Sequence, residues 1–515
     1  MASRNPPQSR DRTCVIVGLD FDTTFSGISY AVLPQDLDRP ISFRWQVDRG
    51  CCQERIPTQM EVSGTPIEWF KLSLLHPDDL EKDILDSEKF TKSNSARERM
   101  NLTVVDVTAA YLHKIWNTFR AELRHEVTDP LIQITFTVPV LWPDYARKSI
   151  YEALHQANII NNNVELAPEF VVEPEAAALA IFSAACYLDG EPFSKVRPGQ
   201  VVIVCDCGGG TTDTVAYEIF SVHPFRVREV SPGQRILADH CILDDGFMKL
   251  LKEKIAQVIS PRVFQTLKEE DYANIAYHHW DTCIKKFFGD GFPTRRIQLP
   301  FRWAGRRQRR MPVGEVTFTH DEIASIFNPV VEKITTLIET EMRNVSTLLS
   351  KDVSYLIMTG GFSQNRYLRD RISQTVNRVS PNTNTLDYPH SLGWNAVSQG
   401  AVLHALQTIT ATGPGTLQNR AIPNLRSVPA EAFSVEDHTN RDVSGIRVYV
   451  RQLQTEEPRT REVCTLSWKT LDVELNYGMK PVLKATLQID FKWDGVVMEF
   501  SLFYCNIKQS SVEFK

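Results

Sequence analysis

The sequence predicts an α/β fold of two duplicated lobes around a cleft, followed by a small C-terminal β-rich unit. Three observations predict it. The first is Val201 to Ile219, VVIVCDCGGGTTDTVAYEI, which opens as a continuous apolar run of the kind that forms a strand buried on both faces. Asp206 ends that run, Gly208, Gly209 and Gly210 make a turn closed by Thr211, Thr212 and Asp213, and a second strand leaves from Val215. The second observation is a copy of this pattern at Cys14 to Val32, CVIVGLDFDTTFSGISYAV, with Asp20 at the strand end and Thr23 and Thr24 in the turn. The copies lie about 190 residues apart, close to one domain length. The third is the alternation of apolar and polar residues after Phe433, which predicts antiparallel β structure.

The chemistry of these turns follows from their residue types. Glycine bares backbone N–H groups and lets a ligand approach, so each hairpin tip suits phosphate oxygens, and a carboxylate such as Asp206 at the strand end suits the outer shell of a phosphate-bound Mg²⁺. One such hairpin is equally a plain tight turn, but two copies point to lobes gripping one nucleotide. Phe170 to Ala185, FVVEPEAAALAIFSAA, brings Glu173 to the start of an alanine-rich helix. A carboxylate there suits the water that attacks a γ-phosphate, and a helix-dipole partner is the alternative. In VSYLIMTGGFSQNRYLRD a strand ends at Gly360-Gly361, and a helix is predicted from near Gln364 with Ser363 as its cap. That turn suits a base or sugar-phosphate, or is simply a capped turn. The last informative stretch, SLGWNAVSQGAVLHAL, is a helix carrying Gly400 and Ala401, and since glycine costs about 1 kcal/mol in a helix it predicts a close contact, with Ala176 to Ala178 as the partner face.

The remaining elements run in order. Strands are predicted at Phe25 to Leu33 and Ile41 to Val47, while residues 48 to 102 show no firm periodicity. Val104, Val107, Tyr111, Ile115, Phe119 and Leu123 form one stripe of a long helix, Leu131 to Val138 a strand, and Pro143 opens a helix. Further on come a strand at Phe225 to Val230, a helix from Gly246 to Ile259, a helical stretch from Ile275 to Phe288 with Trp280, Ile284 and Phe287 on one face, and a helix from His320 to Arg343.

Composition narrows the function. With 515 residues, 42% of them hydrophobic, the chain can bury more than one core, and its net charge of −6 argues against a nucleic-acid partner. The N-terminal MASRNPPQSRDRT lacks an apolar core, so a disordered lead over residues 1 to 12 is expected and no membrane association. No Cys-x-x-Cys pair points to zinc, and reduced thiols in the cytoplasm are expected, with the nucleus as alternative. Arg302, Arg306, Arg307, Arg309 and Arg310 form the most basic patch, expected to be a solvated hairpin tip, with an acidic partner or nuclear targeting as the other reading.

The order of these motifs resembles the actin-like ATPase superfamily. Within it, TFTVPVLWPDYARKSIYEA, VVEPEAAALA and VVIVCDCGGGTTDTVAYE are similar to the heat shock 70 kDa protein family, and WFKLSLL with LKATLQIDFKWDGVVMEFSLFY to its divergent class-12 branch. The resemblance covers roughly residues 13 to 407. It implies ribonuclease H-like lobes at 13–197 (completed by helix 390–407) and 198–389, followed here by a linker at 408–432 and a β-rich unit at 433–515. It further implies ATP or ADP with Mg²⁺. By this similarity Thr23 and Thr24 contact phosphates, Gly208, Gly209, Gly210 and Thr211 wrap them, and Asp20 and Asp206 hold Mg²⁺ through water. Glu173 then positions the attacking water, Lys71 of WFKLSLL matches the catalytic lysine (a surface lysine being the alternative), Gly360, Gly361 and Ser363 seat adenosine, and Lys285 and Lys286 lie near the base or ribose.

Three departures qualify the resemblance. Asp22 stands where the family turn carries glycine, which predicts strain at a left-handed position and repulsion of phosphate. Too few residues follow the lobes for a peptide-binding sandwich and lid. The segment SPGQRILADHCILDDGF lacks the family's glycine pair, leaving Asp244 or Asp245 to act there. Three functions are therefore open. The first is a slowly hydrolysing ATPase switch or chaperone-like protein, with a protein partner expected at the C-terminal β unit or the arginine patch. The second is a non-hydrolysing interaction module, and the third a sugar or metabolite kinase using Asp213.

Overall fold

The computed structural model describes residues 12–36, 39–48, 51–185, 196–222, 225–236, 240–299, 314–386, 390–412, 433–440, 443–452, 459–469, 487–493, 498–504 and 507–514. The expected N-terminal lead up to residue 11, the linker residues 413–432 and the arginine run Arg302–Arg310 lie outside the described residues. The chain divides into two compact units: one holds most of residues 12–408, and the other holds the C-terminal strands with residues 143–151 and 167–170.

The first unit is mixed α/β and contains two large sheets, with smaller two-stranded ones beside them. Its first sheet starts with β1 (Cys14–Asp20), β2 (Phe25–Leu33) and β3 (Ile41–Ser42), with the short β4 (Arg55–Pro57) paired beside β2. After helix α1 (Val104–Glu126) come β5 (Leu131–Val138), β6 (Val164–Leu166) and β7 (Val171–Val172), then helix α2 (Glu173–Ala185). The strand order is β6-β5-β1-β2-β3, antiparallel from β1 to β3 and parallel from β1 to β6. The second sheet is built from β8 (Val201–Cys207), β9 (Thr212–Val222) and β10 (Phe225–Ile236). After helices α3 (His240–Val258) and α4 (His320–Leu349) it adds β11 (Val353–Thr359) and, after α5 (Arg366–Val379), β12 (Asn384–Thr385). Its order β10-β9-β8-β11-β12 repeats that of the first sheet, strand for strand and direction for direction. Helix α6 (His390–Thr412) ends the unit and runs past residue 407, into the stretch expected to be linker.

The apolar run of β8 is continuous because both of its faces are covered. Val201, Ile203 and Cys205 join one core with Phe247 of α3 and Phe327 of α4, while Val202 and Val204 join another with Ala177 and Ile181 of α2. Helix α1 starts in a reciprocal cap: Thr103 Oγ1 accepts from Asp106 N at 3.1 Å and Asp106 Oδ2 accepts from Thr103 N at 2.7 Å. Its predicted stripe is buried from Val107 through Leu123, with Val104 half-buried. The close contact predicted at Gly400 is real: a Cβ there would lie 1.7 Å from the Ala176 carbonyl oxygen, so only glycine lets α6 pass α2 at this depth.

Several elements differ from the sequence reading: the strand expected over Ile41 to Val47 is two, Ile41–Ser42 and Trp45–Asp48, while β10 and α4 run on to Ile236 and Leu349. Helix α3 begins at His240 rather than Gly246. The stretch Ala276–Ile284 is a π-helix, so the 3.6-residue repeat that grouped Phe287 with Trp280 and Ile284 fails; those two are buried whereas Phe287 is 59% exposed. Helix α5 begins at Arg366 and is capped by Asn365, whose side chain accepts from Leu368 N at 3.0 Å. Ser363 is not that cap; its hydroxyl donates back to Gly360 O at 2.7 Å within a 3₁₀ turn.

The second unit contains two three-stranded antiparallel sheets. One is Phe433–Asn440, Val443–Gln452 and Arg459–Lys469; the other is Leu487–Trp493, Met498–Tyr504 and Ile507–Phe514. The predicted antiparallel β unit is therefore present, as consecutive hairpins. Among the described residues no helix is long and apolar enough to cross a membrane.

Candidate functional site

The tips of the two hairpins, β1–β2 and β8–β9, meet. A Cβ on Gly209 would lie 1.7 Å from Thr24 Oγ1, and one on Gly210 2.9 Å from Thr23 Cγ2. Neither residue has a positive φ, nor does Gly208, so glycine here supplies room for the facing threonines rather than backbone freedom. Gly360 is different: its φ is +82°, and a Cβ would lie 2.3 Å from Cys207 O and 2.7 Å from Asp206 Oδ1. Beside the tips lies a cleft of about 680 Å³. The first hairpin lends it Asp20, Asp22 and Thr24, the second Asp206, Gly208 and Gly209, and Glu173 stands between them. Gly360, Gly361, Lys285 and Lys286 also line it, with Gly360 against Asp206.

The end of the cleft beside the hairpin tips is crowded with buried charge. Lys71 is only 2% exposed, which removes the surface-lysine alternative, and its Nζ donates to Glu173 Oε1 at 2.9 Å. The ammonium also lies 5.7 Å from the Phe21 ring centre and 5.4 Å from that of Trp142. Burial pulls the Lys71 ammonium toward neutrality, but Glu173 and Asp22 outweigh it and the group stays charged. Burial pushes the Glu173 carboxyl up to about 8 against the pull of Lys71, and pushes Asp206 up to about 7 with help from the neighbouring Asp22, Asp213 and Asp20. Asp206 Oδ1 accepts from Thr359 Oγ1 at 3.0 Å.

Arg55 is the residue that sequence reasoning missed. It comes from β4, inside the stretch without periodicity, and is 7% exposed. Its Nη2 lies 2.7 Å from Asp20 Oδ2 and 4.0 Å from Asp22 Oδ2, and also donates to Phe25 O; its Nη1 donates to Trp394 O at 3.0 Å. The guanidinium thus ties the first hairpin to the first turn of α6. Burial raises the Asp20 carboxyl above its ordinary value even so, with Arg55 opposing. Asp22 does not adopt the left-handed conformation expected for it: it has no positive φ, and its Oδ1 accepts from Thr23 N at 2.6 Å. The turn therefore carries no left-handed strain at Asp22.

Several predicted residues stand behind the cleft wall. Thr23 is 3% exposed, packed under Gly210; Thr211 Oγ1 donates to Asp213 Oδ2 at 3.2 Å; Ser363 is fully buried. Asp213, the kinase candidate, is held by Arg235 Nε at 2.8 Å and is 5% exposed. Asp244 Oδ1 accepts from both Trp280 Nε1 and Lys285 Nζ at 2.6 Å, which fixes Lys285 beside the cleft and engages Asp244. Trp394 was also missed: a Cβ on Gly361 would lie 2.6 Å from its ring, which sits 5.7 Å from Phe25 and 5.6 Å from the Arg55 guanidinium.

Among the described residues no group of three or more His, Cys, Asp or Glu is arranged to hold a metal ion. The donor set fits a divalent ion only through water and phosphate oxygens, with Asp20 shared with Arg55. Comparison of the sequence with protein-family models gives no match, and comparison with curated proteins gives none.

Proposed function

We propose that the first unit is a duplicated ribonuclease H-like, actin-like ATPase domain that binds ATP or ADP in the cleft and acts as a nucleotide-dependent switch. The observation that carries this reading is the pairing of two identical strand orders with two Asp-turn-Thr hairpins whose tips face one cleft. Gly208 and Gly209 bring backbone without a side chain to the cleft, which suits the close approach of phosphate oxygens, although Gly208 N–H itself donates to Thr211 O at 3.0 Å, and Gly360 and Gly361 suit the sugar. Asp20 and Asp206 are the groups to hold a hydrated Mg²⁺, which would neutralise phosphate charge. Glu173, oriented by Lys71, is the group to hold the attacking water. In the family resemblance this makes a heat shock 70 kDa-like protein without the usual peptide-binding domain.

One observation favours the non-hydrolysing reading near neutral pH. Burial raises the Glu173 carboxyl against the pull of Lys71 at 2.9 Å, which shrinks the fraction ready to accept a proton from water. The kinase reading loses its candidate base, because Asp213 is paired and buried. Thermal unfolding with ATP, ADP or glycerol, each with Mg²⁺, tests binding, since any ligand of the folded state raises the midpoint. A shift with either nucleotide and none with glycerol is expected, and no nucleotide shift overturns the reading. Phosphate release measured at pH 7 and pH 9 then separates switch from non-hydrolysing module: a rate that rises with pH supports Glu173 as base.

A further inference from the structure

Asp20, Asp22, Glu173 and Asp206 all line the cleft, and their charge is of the sign that repels a polyphosphate. Arg55 lines it with them, its Nη2 2.7 Å from Asp20 Oδ2. Asp20 has little left to offer a metal: Oδ2 is taken by the guanidinium, Oδ1 lies 3.5 Å from Thr137 Oγ1, and the residue is 2% exposed. The guanidinium itself is held by the fold, since Nη2 donates to Phe25 O, Nη1 donates to Trp394 O at 3.0 Å, and a Cβ on Gly27 would lie 3.4 Å from Arg55 Cγ. Its sequence neighbours leave it free for this role. Glu54 and Ile56 line a second cavity, of about 1490 Å³, where Asn395 Nδ2 donates to the Glu54 carboxylate. Lys285, another cation of the cleft lining, is tied to Asp244 Oδ1 at 2.6 Å instead. An arginine side chain keeps its charge at every working pH, and a cation built into the chain needs no free ion to supply it.

We infer that Arg55 is a resident cation that competes with divalent metal for Asp20 and takes over its charge-neutralising part, so that the cleft holds a nucleoside triphosphate nearly as well without Mg²⁺ as with it. The inference rests on the nucleotide reading of the cleft. Metal-free ATP meets an Asp20 already neutralised, whereas Mg²⁺ must share that carboxylate with the guanidinium and so gains little by entering. The test is calorimetric titration of ATP into the full chain, once in excess Mg²⁺ and once in excess EDTA, for the wild type, Arg55→Met and Arg55→Lys. In the wild type the two affinities differ by less than about tenfold, a fraction of what one charge at contact distance is worth. In Arg55→Met the metal-free affinity falls until the two differ by more than about tenfold, while Mg·ATP binding holds because the ion then takes Asp20. Arg55→Lys keeps a cation and keeps the wild-type ratio. A wild-type ratio above tenfold, a ratio unchanged in Arg55→Met, or an Arg55→Lys that behaves as Arg55→Met would each overturn the inference and leave the nucleotide reading standing. No ATP binding by the wild type in either buffer overturns that reading, and the inference with it. If Arg55→Met fails to fold, the wild-type ratio and Arg55→Lys still decide.

Discussion

Replacing Arg55 with methionine keeps the aliphatic stem and removes the cation from beside Asp20. Three acceptors then lose their donor: Asp20 Oδ2, Phe25 O and Trp394 O. Breaking a buried pair by deleting one partner costs about 3–5 kcal/mol. Here the ionic part has a ceiling, because Asp20 can escape by taking a proton. Its unfolded pKa is 3.8, and each pH unit above that costs about 1.4 kcal/mol, so the ceiling is ~4 kcal/mol at pH 7 and ~2 kcal/mol at pH 5. A carboxyl whose folded pKa is raised holds a proton that the unfolded chain has lost. The stability it confers is complete below 3.8 and is lost as pH rises through the folded value. The deficit of Arg55→Met must therefore grow with pH. Urea unfolding followed by tryptophan fluorescence at pH 5 and pH 7 measures it, with a loss near 4 kcal/mol expected at pH 7 and about half that at pH 5. A loss under ~1 kcal/mol, equal at both pH values, would refute the buried pair as the role of Arg55.

Gly209→Ala drives a methyl into Thr24 and should cost about 1–3 kcal/mol by overpacking; Thr24→Gly in the same chain should recover most of it, and an unaffected midpoint in the single variant means the tips do not touch. In the nucleotide-free protein Asp206 and Glu173, pushed up to about 7 and about 8, confer stability that is complete below about 4 and gone above about 8, so the thermal midpoint falls between pH 5 and pH 8. A cation shell needs Asp206 ionised, so Mg·ATP affinity should rise with pH up to about 7 and then level off; calorimetry showing a flat profile would remove Asp206 from the site. Asp22→Asn keeps the acceptor for Thr23 N but removes the charge, and should favour ATP over ADP by about tenfold, well under the ~4 kcal/mol Coulomb ceiling because Arg55 lies 4.0 Å away. Equal nucleotide affinities in wild type and variant would mean that Asp22 does not face the γ-phosphate.

What the sequence disclosed was whatever repeats or packs locally. The two hairpins, the stripe of α1 and the tight crossing at Gly400 each leave a pattern within one element, whether an apolar run, a 3.6-residue period or a glycine inside a helix. Arg55 leaves none. Its strand is three residues long and its partner Trp394 lies 339 positions away, so its burial is decided entirely by tertiary folding. Phe287 was misplaced because a π-helix breaks the period used to assign its face, and Ser363 because two polar residues compete for one cap and Asn365 sits two positions closer to the helix. Asp22 was assigned a left-handed backbone by analogy with glycine, whereas its own side chain, bonded to the next N–H, holds the turn without it.

Glu54 and Arg55 are consecutive residues, and so are Trp394 and Asn395. The pairs are joined twice, by Arg55 Nη1 to Trp394 O on the cleft side and by Asn395 Nδ2 to Glu54 Oε2, at 2.5 Å, on the cavity side. The partition between the two compartments is therefore a single residue deep, clamped on both faces. A partition so thin has no independent positions for its two surfaces: Glu54 and Asn395 on one face are covalently continuous with Arg55 and Trp394 on the other, so a substitution at either pair displaces both faces.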